Sequence, residues 1–241
     1  MNLLKPLSGV LLLFMGIQAQ SQADLDDFLS GQVVGNEAFM EYDYQAMLDS
    51  IDVLNAGTSS SSTPASTLWG VYTLRGADID GEAANDYSGF SVSLSSDGTT
   101  VAIGARKNDG ANGTNSGHVR IYAWNSTTSA WDQQGADIDG EAEDDYSGRS
   151  VSLSSDGTTV AIGAYGNDAN GSNSGHVRIY AWNSTTSAWD QQGADIDGEA
   201  ASDYSGYRVS LSSDGTTVAI GAHKNDGNGS SSGHVRIYSW H

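Results

Sequence analysis

The sequence contains no cysteine, so neither a disulfide framework nor thiolate chemistry is open to it. Proline is nearly absent: Pro6 and Pro64 are the 2 prolines of the 241 residues. Basic residues are scarce. Lys and Arg number 10 against 30 Asp and Glu, a formal net charge of −20. A surface so acidic repels nucleic-acid phosphates, which excludes DNA and RNA as partners. Long apolar runs are missing too. The run Val10–Ile17 (VLLLFMGI) is far shorter than the roughly 20 residues that span a bilayer.

That short run has a different meaning. Lys5 precedes it, and Ser21-Gln22-Ala23 follows with small residues where a processing enzyme cuts before Asp24. Residues 1–23 are therefore expected to be a signal peptide, leaving a secreted mature chain with no membrane span. A secreted chain without cysteine must take its stability from packing or from bound ions. Residues 24–56 are acidic, with no Lys or Arg. Apolar residues from Phe39 to Leu54 recur at three- and four-residue spacings, which predicts an amphipathic helix over 36–55. Residues 57–66 read as a Ser/Thr-rich linker.

Residues 67–241 are repetitive. VSLSSDGTTVAIGA stands unchanged at 92–105, 151–164 and 209–222, within units at about 76–134, 135–192 and 193–241. Such periods signal arrays or propellers. In the first unit, Val92 and Leu94 alternate with Ser91 and Ser93. An Asp97-Gly98 turn follows, where glycine supplies the positive φ of a tight hairpin. Strands are predicted at TVAIGA (100–105), HVRIYAW (118–124) and AWDQQGADI (130–138). Gly104 and Ala105 suit a crowded position. Each unit is thus an antiparallel, four-stranded sheet with two apolar faces, and neighbouring copies must cover them. TLWGVYTLRGADI (67–79) resembles a fourth strand placed ahead of the first unit. It is a candidate to complete the last sheet.

DYSGFSVSLSSDGTTVAIGA followed by SGHVRIYAW resembles the FG-GAP-type repeat of the integrin-alpha β-propeller. The resemblance implies an all-β fold, a partial three-blade propeller of four-stranded antiparallel sheets. Three blades fall below the usual range of about four to eight. Of the family's calcium hairpin, only Asp97 and Gly98 match, too few oxygens for calcium there.

Carboxylates gather elsewhere. Asp78-x-Asp80-Gly81-Glu82 recurs as Asp137-x-Asp139-Gly140-Glu141 and Asp195-x-Asp197-Gly198-Glu199. Three carboxylates around a glycine turn are candidate ligands for weakly held calcium, though Asx turns would use the same residues. The loops at Asp109, Asp168 and Asp226 are a second oxygen-rich set. His118, His176 and His234 share one strand position and are expected to hydrogen-bond to a neighbour, far from one another. Trp124, Trp131, Trp182, Trp189 and Trp240 either fill space between blades or stack on sugars. Five Asn-x-Ser/Thr sequons begin at Asn112, Asn125, Asn170, Asn183 and Asn228.

These features point to a secreted, non-catalytic binding or adhesion module whose partner is an extracellular protein or a glycan. The alternatives are a lectin-like carbohydrate-binding propeller and a glycoside-acting enzyme. Two chains joined head to tail would make a six-bladed homodimer, well within the propeller range. The export reading has a direct check. N-terminal sequencing of protein recovered from culture medium should begin at Asp24; an intact Met1 on intracellular protein contradicts it.

Overall fold

The computed structural model describes residues 72–241; the expected signal peptide, helix and linker lie outside them. The described fold is all-β. The first sheet contains β1 (Ser91–Leu94), β2 (Thr100–Ala105), β3 (His118–Asn125), β4 (Ala130–Gln133) and β5 (Ile138–Asp139). The second contains β6 (Ser150–Leu153), β7 (Thr159–Ala164), β8 (His176–Asn183), β9 (Ala188–Gln191) and β10 (Ile196–Asp197). The third has β11 (Arg208–Leu211), β12 (Thr217–Ala222) and β13 (His234–Ser239). Every pairing between these strands is antiparallel, and the register repeats: Val92 faces Ile103 as Val151 faces Ile162 and Val209 faces Ile220.

The Asp-Gly hairpins form as the sequence requires. Gly98, Gly157 and Gly215 have φ of 68°, 72° and 74°. Asp97 fixes its turn by accepting from the Ser95 hydroxyl at 2.7 Å and from the Thr99 amide at 2.9 Å. Those bonds, Ser95 foremost, hold the Asp97 carboxyl at about 2.

Two expectations need correction. The fourth strand expected over 130–138 is broken in two. β4 pairs with the end of β3, from Tyr122 to Asn125, and β5 pairs with its start, at His118 and Val119. Gly135 lies in the break at φ 82°, where a Cβ would meet Trp182 at 3.0 Å and Trp189 at 3.1 Å. The chain steps aside to admit the rings of the next blade. Second, the described part of the leading segment forms no strand and lies on the first sheet, not the last. Arg120 Nη2 donates to the Asp80 carbonyl at 2.7 Å, as Arg178 Nη2 donates to the Asp139 carbonyl at 2.6 Å. Trp131 Nε1 donates to the Arg75 carbonyl at 2.9 Å, as Trp189 Nε1 donates to that of Gln134 at 2.8 Å. The segment 75–82 therefore holds on blade 1 the position that 134–141 holds on blade 2.

The blades are joined by both faces of their first strands. Val151 and Leu153 enter one core with Ala102, Val119 and Ile121 of the preceding blade. The serines of β1 and β6 face the other way. Ser93 Oγ accepts from the Leu153 amide at 2.9 Å, and Ser152 Oγ accepts from the Leu211 amide at 2.9 Å. This explains a strand that alternates aliphatic and serine residues without a solvent face. Packing there is tight. A Cβ on Gly104 would meet the Gly148 carbonyl oxygen at 2.2 Å, and one on Gly163 would meet that of Gly206 at 2.0 Å. At the same position in the last blade, Gly221 has nothing closer than 3.7 Å.

Gly157 combines a left-handed backbone with an inter-blade contact, because its Cβ would lie 2.7 Å from Thr100 Cβ of blade 1. Gly157→Val should destabilise the fold by about 1–3 kcal/mol from backbone strain alone. The loss should exceed that of Gly98→Val, whose Cβ meets nothing nearer than Arg75 Nη1 at 3.6 Å. Denaturant or thermal melts of the two variants against wild type measure the difference.

Candidate functional site

The three units are nearly identical, so the positions where they differ carry information. Phe90, Arg149 and Tyr207 occupy one repeat position, Arg106, Tyr165 and His223 a second, and Lys107, Gly166 and Lys224 a third. The first position directly precedes each blade's first strand. The other two follow each blade's second strand. Antiparallel pairing brings these ends together, and the blade junctions bring the three pairs of ends together.

They merge into one aromatic and cationic rim. The Arg149 guanidinium lies 4.7 Å from the Phe90 ring centroid and 3.9 Å from that of Tyr207. Arg106 lies 4.2 Å from Phe90, and Lys224 lies 4.5 Å from Tyr204. Tyr165 stacks on Tyr146 at 5.2 Å and meets Tyr207 edge-on at 5.5 Å. Arg106, Lys107, Arg149, Arg208 and Lys224 all approach these rings, so five of the chain's 10 basic residues collect here. Tyr87 and Phe90 remain exposed, at 49% and 42%. The rim is also strained. Tyr87, Tyr146 and Tyr204 adopt φ of 57°, 55° and 55°, a region that bulky residues rarely enter. Their carbonyls close the turns by accepting from the amides of Phe90, Arg149 and Tyr207.

The predicted carboxylate sites are redistributed. Asp137 and Glu141 do not converge on one centre. Asp137 turns to His118 of its own blade, with Oδ2 3.6 Å from Nδ1, while Glu141 reaches His176 of the next, with Oε2 3.7 Å from Nδ1. Two clusters result that could hold a metal ion, Glu82–His118–Asp137 and Glu141–His176–Asp195. Glu199 and His234 repeat two of the three parts, 3.7 Å apart. Asp78 borders a groove with Tyr122 and Trp131. The backbone carbonyls of Asp80, Asp139 and Asp197, at the middle position of each turn, accept from Arg120, Arg178 and Arg236.

Each glutamate is also paired with an arginine: Arg120, Arg178 and Arg236 stand 3.5–3.6 Å from Glu82, Glu141 and Glu199. Burial pushes the Glu141 carboxyl up and lowers His118. Burial, aided by Arg178, brings His176 down to about 4. The expected histidine hydrogen bonds are not made at His176: its imidazole is buried and neither ring nitrogen has a partner.

The turn bearing Glu141 is fixed by a residue the sequence reading passed over. Asp145, 3% exposed, accepts from the Ala142 amide at 3.0 Å and from Asn167 Nδ2 at 3.3 Å. Its recurrence as Asp86 and Asp203, always just before Tyr-Ser-Gly, was the available signal. Asp109, Asp168 and Asp226 serve their own loops by accepting from the amides of Asn115, Asn173 and Ser231. Trp124 and Trp131 lie edge to face at 5.3 Å, and Trp182 and Trp189 lie 5.5 Å apart, so both pairs serve packing.

Repeated antiparallel sheets packed through their first strands define a β-propeller repeat protein. The FG-GAP repeat model matches residues 79–122, 136–180 and 195–238, over half of the chain. The chain belongs to the FG-GAP repeat family. No curated protein matches it. Among solved structures it is similar to hydrazine synthase of Kuenenia stuttgartiensis, at 10% identity and a TM-score of 0.39 over 70% of this chain and 36% of that one. It is also similar to the periplasmic gluconolactonase of Pseudomonas aeruginosa, at 14% identity and a TM-score of 0.39 over 62% of this chain and 38% of that one. It thus spans well under half the length of either.

Proposed function

We propose that the chain is an extracellular, non-catalytic binding module whose ligand surface is the aromatic and cationic rim. The observation that carries this reading is where the repeats differ. Strands, hairpins and junctions are copied nearly letter for letter, and so are the rim tyrosines Tyr87, Tyr146 and Tyr204, while their rim neighbours at Phe90, Arg106 and Lys107 change from blade to blade, as do the loops. A scaffold held constant around a varied surface is what recognition requires, because fold and specificity are then set by different residues. Flat rings and guanidinium groups recognise by stacking and by charge. On a chain of net charge −20, gathering five of the 10 basic residues at this rim favours an anionic partner, an acidic glycan or an acidic protein. The exposed faces of Tyr87 and Phe90 support the glycan reading in particular.

Binding of the secreted protein to a panel of acidic and neutral glycans and extracellular matrix proteins tests this. Phe90→Ser and Arg106→Ala, both at the rim and outside the blade cores, should each weaken binding about tenfold or more, as central interface residues do. Unchanged binding by both variants removes the rim as the surface. Binding confined to glycans selects the lectin reading.

We infer a head-to-tail assembly of copies, which needs no new type of contact. Val92 and Leu94, at one end, are 63% and 57% exposed; Val235 and Ile237, at the other, are 66% and 69% exposed. Their counterparts Val151, Leu153, Val119 and Ile121 are all buried in one core. The two ends are therefore the two halves of a junction already made inside the chain. Beside the last blade lies a cavity of about 390 Å³, lined by Ile179, Leu211, Val218, Tyr238 and Trp240. Trp189 occupies the corresponding position in the preceding junction, and the fully exposed Tyr72 stands in that register, four residues before Gly76. Light scattering of the full chain should give a dimer or a larger closed ring, and Val235→Asp with Ile237→Asp should give monomer. A wild-type monomer that melts cooperatively and binds no hydrophobic dye refutes the assembly.

A further inference from the structure

The geometry points to a divalent transition-metal site, of the zinc class, at Glu141, His176 and Asp195, repeated at Glu82, His118 and Asp137. The set is assembled across a blade junction. Glu141 comes from the turn after β5, His176 begins β8, and Asp195 lies just before β10. Glu141 Oε2 and Asp195 Oδ2 are each 3.7 Å from His176 Nδ1. At the first junction the corresponding distances are 3.8 and 3.6 Å. All ligand atoms of a set lie within 4.8 Å of one another.

These distances are too long for hydrogen bonds, whose N···O separation is about 2.7–3.2 Å. They are close to the edges of a coordination polyhedron. Zinc bonds of about 2.0–2.2 Å in a tetrahedron set ligand atoms about 3.3–3.6 Å apart. The outer atom of each carboxylate faces the protein, in an ion pair at the glutamate and in a hydrogen bond at the aspartate. Arg178 Nη1 stands 3.6 Å from Glu141 Oε1, and Gln191 Nε2 donates to Asp195 Oδ1 at 2.7 Å. Gln133 does the same for Asp137 Oδ1 at 2.6 Å. Supported ligands of this kind keep their inner atoms aimed at one point. That point is where the buried His176 directs a ring nitrogen with no partner.

An imidazole buried without a hydrogen bond costs stability, and a metal ion would take the lone pair of one of the two partnerless ring nitrogens. Two facing carboxylates with one arginine beside them leave a net negative charge that a cation would offset. The donor set also selects the ion. One imidazole and two carboxylates suit zinc and its neighbours, whereas calcium takes about six to eight oxygens and no nitrogen. The exposed side of Glu141 gives the ion a route in and leaves room for water as the fourth ligand.

The test uses the full chain, stripped with a chelator and titrated with zinc by calorimetry and with cobalt(II) by visible absorption. Wild type should take up zinc at both sites and show the intense bands of four-coordinate cobalt. His176→Asn and Asp195→Asn should each remove one equivalent or weaken it at least about tenfold, and Asp137→Asn should do the same for the other site. Asp195 and Asp137 are partly exposed carboxylates, so those variants remain informative if His176→Asn fails to fold. No zinc uptake by wild type overturns the proposal, as does uptake unchanged in all three variants. Calcium uptake that is lost in Asp195→Asn, without zinc uptake, overturns the choice of ion.

Discussion

A sheet with aliphatic side chains on both faces cannot stand alone in water, and every feature of this chain follows from how those faces are covered. Burying a Val, Leu or Ile side chain contributes about 1.5–3 kcal/mol. Each junction collects several, as in the core joining Val119 and Ile121 to Val151 and Leu153. Covering one face with the next copy of the same unit demands that the copies match. Closeness adds a second demand: Gly104 and Gly163 touch the backbone of the following blade, where no Cβ fits. A substitution in one unit would have to be answered in its neighbour. This accounts for fourteen letters kept unchanged at three places.

What the sequence made legible is what depends on neighbours in the chain. The Asp-Gly hairpins, the alternation of Val and Leu with serine, and the strands at Thr100 and His118 are local and came through. The break in the fourth strand was hidden, because its cause is a pair of tryptophans from the following blade pressing on Gly135. The leading segment was misassigned for a related reason. Its letters match a fourth strand, but letters do not say which of two flanking sheets a segment joins, and Arg120 and Trp131 draw it to the first.

The carboxylates illustrate the same limit in the chemistry. Asp137 and Glu141 are four residues apart and look like one ligand set. Gly140 turns between them, with its Cα packed against the Ser116 carbonyl, so they part to serve His118 and His176. The true neighbours of His176 are 35 residues before it and 19 after it. Only non-local pairing of strands brings those together. The rim was hidden in another way. Its varied positions are plain when the units are aligned, but their convergence depends on three sheets sharing one side.

The Glu–His–Asp clusters and the exposed end faces are linked by the same repeat logic. Glu199 and His234 stand 3.7 Å apart with Arg236 beside them, but no described residue fills the place that Asp137 and Asp195 take in the other two sets. Asp78 is the residue in that register, two before Asp80, and it belongs to no cluster. It travels with the segment that carries Tyr72, which is exposed ahead of the first blade. In a head-to-tail assembly, one copy's segment would lie along β13 of the next, bringing an aromatic ring to the cavity and a carboxylate to His234. Apolar closure and cation binding would then be thermodynamically coupled, since an ion that needs ligands from two copies binds only the joined form and stabilises it by mass action. The repeats would thus reuse one junction three ways: as the core it already is, as the proposed ligand set and as the proposed contact between chains.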